Sequence, residues 1–540
     1  MKKFITSIII PVLVLTAGCN EDILDIKSQN QYSEETYFKT APQFNEGVVA
    51  TYATLLMNGL YSRDAYYLFD LLANDAENNI FLLGDVAQLH DYSYGPAQPQ
   101  MSDLWKNLYR MIYRANLVLA KAEEWQPTVQ ADMDKKKQYM GEVSFLRGYA
   151  YFMLVNLWGR VPLKLEFSEA TELTPRAGTV NEVWAAVESD FTNSINGLPV
   201  TYGNADRGRV TKGAAIAMLG KAYLYQKKYA QAESEFMKIT AAPFTYSLNP
   251  NFDNQFSAAN NLSTETIFDI QHKWTDFASG DQYYMFGGQE AWGGKTTHTG
   301  RAMEYGWNDW NNTVVSPALV GAFKYQDEEG DSYTDPRARL TFYGDAASGG
   351  DTDFCHTCTK ASKGGSLMAI YAPDATKPGP YIYPFAANNT IGYSWRKYEY
   401  YETKEFYAGP DSNINTQVVR YADVLLMIAE CLIEQNKLSD ALPYINKVRA
   451  RVGAFQYTSL GTLENAKTIL RHERQLELAG EQVRWFDLVR WGIAKQTLNN
   501  EKQLQLGKQP FEDRHMLLPI PQIEKTTNTA LTTDISGDWN

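Results

Sequence analysis

Two stretches far apart in the 540-residue chain repeat one spacing of small and large side chains, and that spacing leaves few folds open. In "AMLGKAYLYQKKYAQAESEFMKI" (217–239), Gly220 and Ala232 stand twelve residues apart, with Tyr223 and Phe236 just beyond them. In "LLMIAECLIEQNKLSDALPYINKVR" (425–449), Ala429 and Ala441 keep the same separation, with Leu432 and Ile445 as the large partners. Glycine or alanine at such positions lets two antiparallel helices approach closely, while the large neighbours fill the space beside them.

This order of small and large residues is that of a tetratricopeptide repeat. The stretch "VWAAVESDFTNSINGLP" ends like the second helix of another such pair. Helical spacing runs through most of residues 33–239. "QFNEGVVATYATLLM" reads as helix, and "LWKNLYRMIYRANLVLAKAEEW" places Leu104, Leu108, Ile112, Ala115 and Leu119 on one stripe. "EVSFLRGYAYFMLVNLWGRVPL" is apolar nearly all round, so it predicts a buried helix stopped by Gly159 and Pro162. From about 244 to 415 the character changes. Gly, Asn, Asp and Ser clusters interrupt short apolar runs, and "SPALVGAFK" is the one clear helical stretch there. The expectation is an all-α scaffold of tetratricopeptide-like helix pairs with a long, irregular, loop-rich insertion, and such insertions usually carry function.

At 44% apolar and 21% charged residues the chain should bury a large core. Its net charge is −13 and it holds no lysine or arginine block, which makes nucleic acid and anionic lipid surfaces poor partners. Lys2 and Lys3, an apolar run from Phe4 to Leu15, and small residues Ala17 and Gly18 make a secretory signal too short to span a bilayer. It ends on Cys19, and "LTAGC" resembles the bacterial lipoprotein box, with Thr16 where Leu is usual. Acylation of Cys19 would hold the protein on a membrane, since each buried CH₂ contributes about 0.8 kcal/mol. The other reading is a secreted chain with a chance cysteine. "CHTC" (355–358) lacks a second ligand pair for zinc and the helix start expected of a redox pair, so a local Cys355–Cys358 disulfide is expected. Cys431, inside a repeat helix, should be a buried free thiol.

Three segments carry a family resemblance. They are "FLRGYAYFMLVNLWGRVPL", "TKGAAIAMLGKAYLYQKKYAQA", and the closing run from "VVRYADVLLMIAECLIEQNKLSDALPYINKVRARVG" through "ILRHERQLELAGEQVRWFDLVRWG" to "LLPIPQIE". Together they strongly resemble the SusD/RagB family of Bacteroidetes outer-membrane lipoproteins. The resemblance spans nearly the whole mature chain, although the ending "TALTTDISGDWN" lacks the usual asparagine-rich aromatic close. It implies a non-catalytic nutrient-binding protein without cofactor or metal. Such a protein is lipid-anchored, faces the cell exterior, and passes glycans, or in the RagB branch peptides, to a SusC-like TonB-dependent transporter. The acidic Asn20-Glu21-Asp22 is similar to the export signal of such lipoproteins. The implied divisions are a signal peptide over 1–18, an N-terminal helical region over 19–243, a loop-rich ligand-binding region over 244–415, and a C-terminal helical region over 416–540.

Between Tyr283 and Trp310 seven aromatics fall within 28 residues, and no single periodicity places them on one face. Exposed rings pack on the axial C–H groups of pyranoses while hydroxyls seek polar partners. Tyr283, Tyr284, Trp292, Trp307 and Trp310 are therefore candidate contacts, and Asn308, Asp309, Asn311 and Asn312 are candidate hydrogen-bond partners; the alternative is that they pin a long loop to the core. Asp75, Glu77 and Asn78 follow a predicted helix end, as ligand contacts or as turn formers. Arg396, between aromatics in "YSWRKYEYYE", could meet sugar hydroxyls or stack in the core. Glu473, Glu477, Glu481 and Asp487 could suggest a glycosidase. Their helical spacing, interleaved with Arg471, Arg474, Arg484 and Arg490, favours ion pairs instead.

Overall fold

The computed structural model describes residues 37–79, 84–168, 172–273, 299–306, 311–355, 381–382, 392–398, 413–500, 508–531 and Trp539. Among the described residues eight helices come first: α1 (Ala41–Tyr52), α2 (Asp64–Leu72), α3 (Gly84–Asp91), α4 (Pro99–Glu124), α5 (Gln130–Trp158), α6 (Val180–Gly197), α7 (Lys212–Tyr225) and α8 (Tyr229–Lys238). Strand β1 (Ala76–Asn78) lies between α2 and α3. The next part alternates short pieces: β2 (Thr266–Ile270), α9 (Arg301–Tyr305), β3 (Thr313–Val315), α10 (Pro317–Ala322), β4 (Lys324–Gln326), β5 (Ser332–Thr334), α11 (Arg337–Thr341), β6 (Phe342–Tyr343), β7 (Asp353–Cys355), β8 (Tyr381–Ile382), β9 (Ser394–Trp395) and β10 (Thr416–Arg420). Among the described residues the strands form five two-stranded antiparallel pairs, β1 with β3, β10 with β2, β4 with β5, β6 with β9 and β7 with β8. Helices resume with α12 (Tyr421–Glu434), α13 (Leu438–Arg451), α14 (Leu463–Leu478), α15 (Arg484–Arg490), α16 (Ala494–Leu498) and α17 (Gln522–Thr527). The all-α class expected from the sequence is the class observed.

The repeat spacing translates directly into packing. A Cβ at Gly220 would meet the Phe236 ring at 2.6 Å, so only glycine lets α7 and α8 lie this close. Ala429 and Ala441 are fully buried between α12 and α13, and α8 packs against α12, so pairs from the two sequence halves adjoin. Cys431 is the buried free thiol expected. Helix α5 is buried on nearly every side from Val143 to Trp158, as its composition required. Its C-terminus receives the "LLPIP" segment: Leu518 N–H donates to the Leu157 carbonyl at 2.7 Å, and Trp158 Nε1 to the Pro519 carbonyl at 2.9 Å. The first helix stops earlier than its spacing suggests. After Tyr52 the chain tightens into a 3₁₀ turn and then bends past Gly59, where a Cβ would meet the Asp103 carbonyl of α4 at 2.4 Å. Among the described residues no helix is long and apolar enough to cross a membrane.

Candidate ligand-binding surface

Strand β1 extends from the C-terminus of α2, and β3 follows α9, so their pairing brings two distant sequence clusters together. Ala76 faces Val315, Glu77 faces Val314 and Asn78 faces Thr313. Beyond the ladder, Asn79 N–H donates to the Asn312 carbonyl at 2.8 Å and its Nδ2 to the Asn311 carbonyl at 2.7 Å. Asn311 N–H in turn donates to the Gly306 carbonyl at 3.1 Å, and Asn312 N–H to the Glu304 carbonyl at 2.8 Å. Residues 306 and 311, on either side of 307–310, are therefore hydrogen bonded to each other, and 79, just before 80–83, is bonded to 311 and 312. Asn311 adopts φ +47°, a left-handed conformation that asparagine tolerates better than most residues.

Charged and aromatic groups hold this frame from below. Arg63 Nε donates to Glu304 Oε1 at 2.8 Å, and Arg301 Nη2 to Asp70 Oδ2 at 2.9 Å. The Arg301 guanidinium lies over the Tyr398 ring at 4.3 Å and the Tyr305 ring at 5.1 Å. Tyr305 donates its hydroxyl to Asp70 at 3.1 Å and meets Tyr66 edge to face. Burial pushes the Glu304 carboxyl up, against the pull of Arg63, and pushes Asp70 up to about 6, against Arg301. Each arginine offsets part of the cost of burying its carboxylate.

The structure reassigns several sequence candidates. Asp75 is buried, accepting from Gln475 Nε2 at 2.9 Å with Arg484 at 3.9 Å, and burial raises its carboxyl despite Arg484. Arg396 is also interior, donating to both Asp253 oxygens at 2.5 and 2.9 Å and pairing with Asp351 at 3.0 Å. Both are buried and engaged in internal ties. Asn311 and Asn312 are buried as well; Asn312 Nδ2 donates to the Tyr67 hydroxyl at 3.1 Å, and Asn311 Oδ1 accepts from Ser394 at 3.2 Å. Glu77 is buried against His90. Asn78 stays half-buried in β1. Tyr283, Tyr284, Trp292, Trp307, Asn308, Asp309 and Trp310 lie outside the described residues, as do Cys19 and Cys358; Cys355 ends β7.

The acidic helix face is an interior ion-pair network, with partners other than the interleaved arginines for three of its members. Arg337 donates to Glu473 at 2.6 Å and Glu477 at 3.1 Å. Arg420 donates to Glu265, Glu477 and Glu481 at 2.6 to 2.8 Å. Arg449 reaches Glu473 at 2.7 Å, Lys397 reaches Glu481 at 2.9 Å, and Arg451 pairs with Glu477. Only Asp487 bonds within its own segment, to Arg474 and Arg490. Burial disfavours the charge on Glu477, but Arg451, Arg420 and Arg337 outweigh it and hold the carboxyl well below the usual range. The carboxylates of this network are hydrogen bonded on several sides, an arrangement for holding α14 in place.

The signal that could have found the frame was weak. Arg63 and Glu304 are 241 residues apart, and no local spacing links them.

The comparisons with known proteins agree with this architecture. The profile described as "SusD family" matches residues 264–536, just over half of the chain, and one described as "Starch-binding associating with outer membrane" matches residues 22–224. SusD-like protein P25 of Formosa agariphila is 27% identical over 545 residues, covering 96% of each chain. The starch-binding protein SusD of Bacteroides thetaiotaomicron is 25% identical over 192 residues, 34% of this chain and 33% of that one. Among solved structures, a SusD superfamily protein of Bacteroides vulgatus superposes with TM-score 0.71 at 25% identity, covering 92% of this chain and 99% of that one. A laminarin-binding SusD-like protein superposes with TM-score 0.69 at 25% identity, covering 91% and 98%. With its helix-pair scaffold, its short-strand insertion and a profile match over more than half its length, the chain belongs to the SusD family.

Proposed function

We propose that the protein is a cell-surface glycan-binding lipoprotein that captures oligo- or polysaccharide and delivers it to a SusC-like TonB-dependent transporter. In this reading acyl chains on Cys19 anchor it to the outer membrane, facing the exterior, and residues 244–415 carry the ligand surface between two helical regions. The observation that carries the reading is the β1–β3 frame, because it gathers the flanks of 80–83 and 307–310 in one place. Trp307, Asn308 and Trp310 belong to the second of these segments, and Tyr283, Tyr284 and Trp292 precede it. Similarity to a laminarin-binding protein and to a starch-binding profile supports a sugar as the ligand class. The proposed contacts are those aromatics with Asn308, and Asn78 at the rim; Asp75 and Arg396 act as internal ties. Capture needs affinity without bond cleavage, so no reaction is assigned.

A glycan array probed with residues 20–540 tests the ligand class. Calorimetric titration of Trp292→Ala, Trp307→Ala and Trp310→Ala against the best ligand then tests the site. A stacking contact of about 1.4 kcal/mol is about tenfold in affinity, and the melting temperature should barely move. Unchanged affinity in all three variants rejects the aromatic segment as the site. Binding confined to peptides would replace the glycan reading with a RagB-like, peptide-capturing one. Copurification with a large β-barrel from mild detergent, and release of Cys19→Ala from membranes, test delivery and anchoring.

A further inference from the structure

Two cavities of about 340 and 380 Å³ flank the loop 204–209 and share Arg207, Gly208, Arg209, Phe268 and Asp269 in their walls. The loop is their common wall, so the pair is a cleft divided by 204–209. Its floor is β2. Among the described residues β2 pairs with β10 alone, along one edge, and β2 backbone runs through both cavity walls, Thr266 to Asp269 in one and Phe268 to Ile270 in the other. Alternate residues of such a strand turn N–H and C=O away from the partner strand. The bridge lies low because Gly208 adopts φ +103° and a Cβ there would collide with the Gln271 side chain at 1.5 Å. Exposed Arg207 reaches across it, Nη2 donating to the Leu262 carbonyl at 2.8 Å.

The lining has the chemistry of a polyol site. Thr201, Thr211 and Thr264 bring hydroxyls to the first cavity, and the Tyr246 hydroxyl lies 3.3 Å from Thr211 Oγ1. The Phe244 and Tyr246 rings lie nearly parallel, 10° apart at 6.1 Å, and neither is fully buried. On the floor, Asp269 is 5% exposed and accepts from Asn415 Nδ2 at 2.7 Å. Burial pushes its carboxyl up to about 7, against Asn415 and Arg207, and a protonated carboxyl can donate as well as accept. Rings beside hydroxyls and a buried carboxyl suit a sugar ring, which can stack on the one and hydrogen bond to the others.

We infer that this cleft is a second ligand site, which takes one uncharged sugar ring independently of the aromatic segment 283–310. The ligand class rests on the glycan reading above; the place does not. Saturation-transfer NMR on the soluble chain tests it, with maltose, laminaribiose and xylobiose as probes. Thr201→Trp blocks the first cavity from an exposed rim position, and Arg207→Ala removes the bridging guanidinium; a parallel Trp307→Ala/Trp310→Ala variant disables the other surface. The expected result is a disaccharide signal that survives the double tryptophan variant and falls about fivefold or more in either cleft variant, with melting temperatures unchanged. Signals lost only in the tryptophan variant overturn the cleft and leave the first reading standing. Signals lost only in the cleft variants are the expected result and leave the aromatic segment to its own titration. No transfer from any of the three probes to the wild-type chain, or stronger competition by glucuronate than by glucose, overturns the proposal.

Discussion

Along α5 the inward side chains from Val143 to Trp158 are almost all apolar, whereas α14 turns Glu473, Arg474 and Glu477 into the interior. Both helices are buried, and opposite chemistry holds them. Apolar burial is proportional to area and has no preferred direction. Ion pairs at 2.6 to 3.1 Å, such as those of Arg337, exist in one geometry only. The difference teaches that α5 supplies the gain from burial, while α14 fixes how α11, β10, α13 and the 394–398 segment meet. Net stability from such pairs is small against an apolar replacement, yet losing one partner is severe, because the other charges stay behind unpaired.

The contrast is most easily broken by Arg420→Ala, which strips a partner from Glu265, Glu477 and Glu481 together. Chemical denaturation should show a loss of about 3–5 kcal/mol or more. Leu154→Ala in α5 should cost about 2–5 kcal/mol, by the same measurement, and the loss should be equal at pH 3 and pH 7 because no charge is involved. If Arg420→Ala were the milder of the two, the charged face would be dispensable and the contrast empty.

Acid sharpens the comparison. Burial opposes the charge on Asp335 and on Asp423, yet Arg337 lowers the first to about 2, and Lys221 and Arg474 lower the second to about 2. Each is depressed below its unfolded value, so its stabilisation is present above about 4 and is lost as pH falls through about 2, roughly 2 kcal/mol per group. Urea midpoints between pH 5 and pH 2 should fall accordingly, and less steeply in Asp335→Asn, whose starting stability is lower. Asp64 and Asp269 are pushed up to about 7 by burial, so they act in the other direction, removing stability as pH rises from about 4 through 7. The smallest effect belongs to the exposed pair Lys495 and Asp513, 3.1 Å apart. Asp513→Ala should change stability by less than about 1 kcal/mol. A larger loss there would mean that exposure is a poor guide to the value of an ion pair in this protein.

The helix pairs were legible because a twelve-residue separation of small side chains is a local signal that packing alone satisfies. The ion-pair chemistry of α14 was legible too, but its partners were not. Arg337 and Arg420 come from elsewhere in the chain, 136 and 57 residues from the carboxylates they meet. Asp75 and Arg396 sit in turn-like, polar sequence that looks like surface. What buries Asp75 is Gln475, 400 residues away, and what ties Arg396 is Asp253, 143 residues away. Spacing rules see neighbours along the chain, and these positions are decided by neighbours in space.

The antiparallel register of β2 with β10 places Ile270 opposite Thr416, so the chain leaves the helical scaffold and returns to it at nearly one point. Everything between those residues is, in topological terms, an interchangeable cassette with a common clasp. Closing a loop becomes harder only slowly with length, about 0.6 kcal/mol for each doubling. Insertions and deletions inside the cassette are therefore cheap wherever they avoid its ties to the scaffold, at Arg301, Glu304, β3, Arg337, Arg396 and Lys397. A lineage could rewrite the cassette between clasp and ties while the helix pairs went on folding as before.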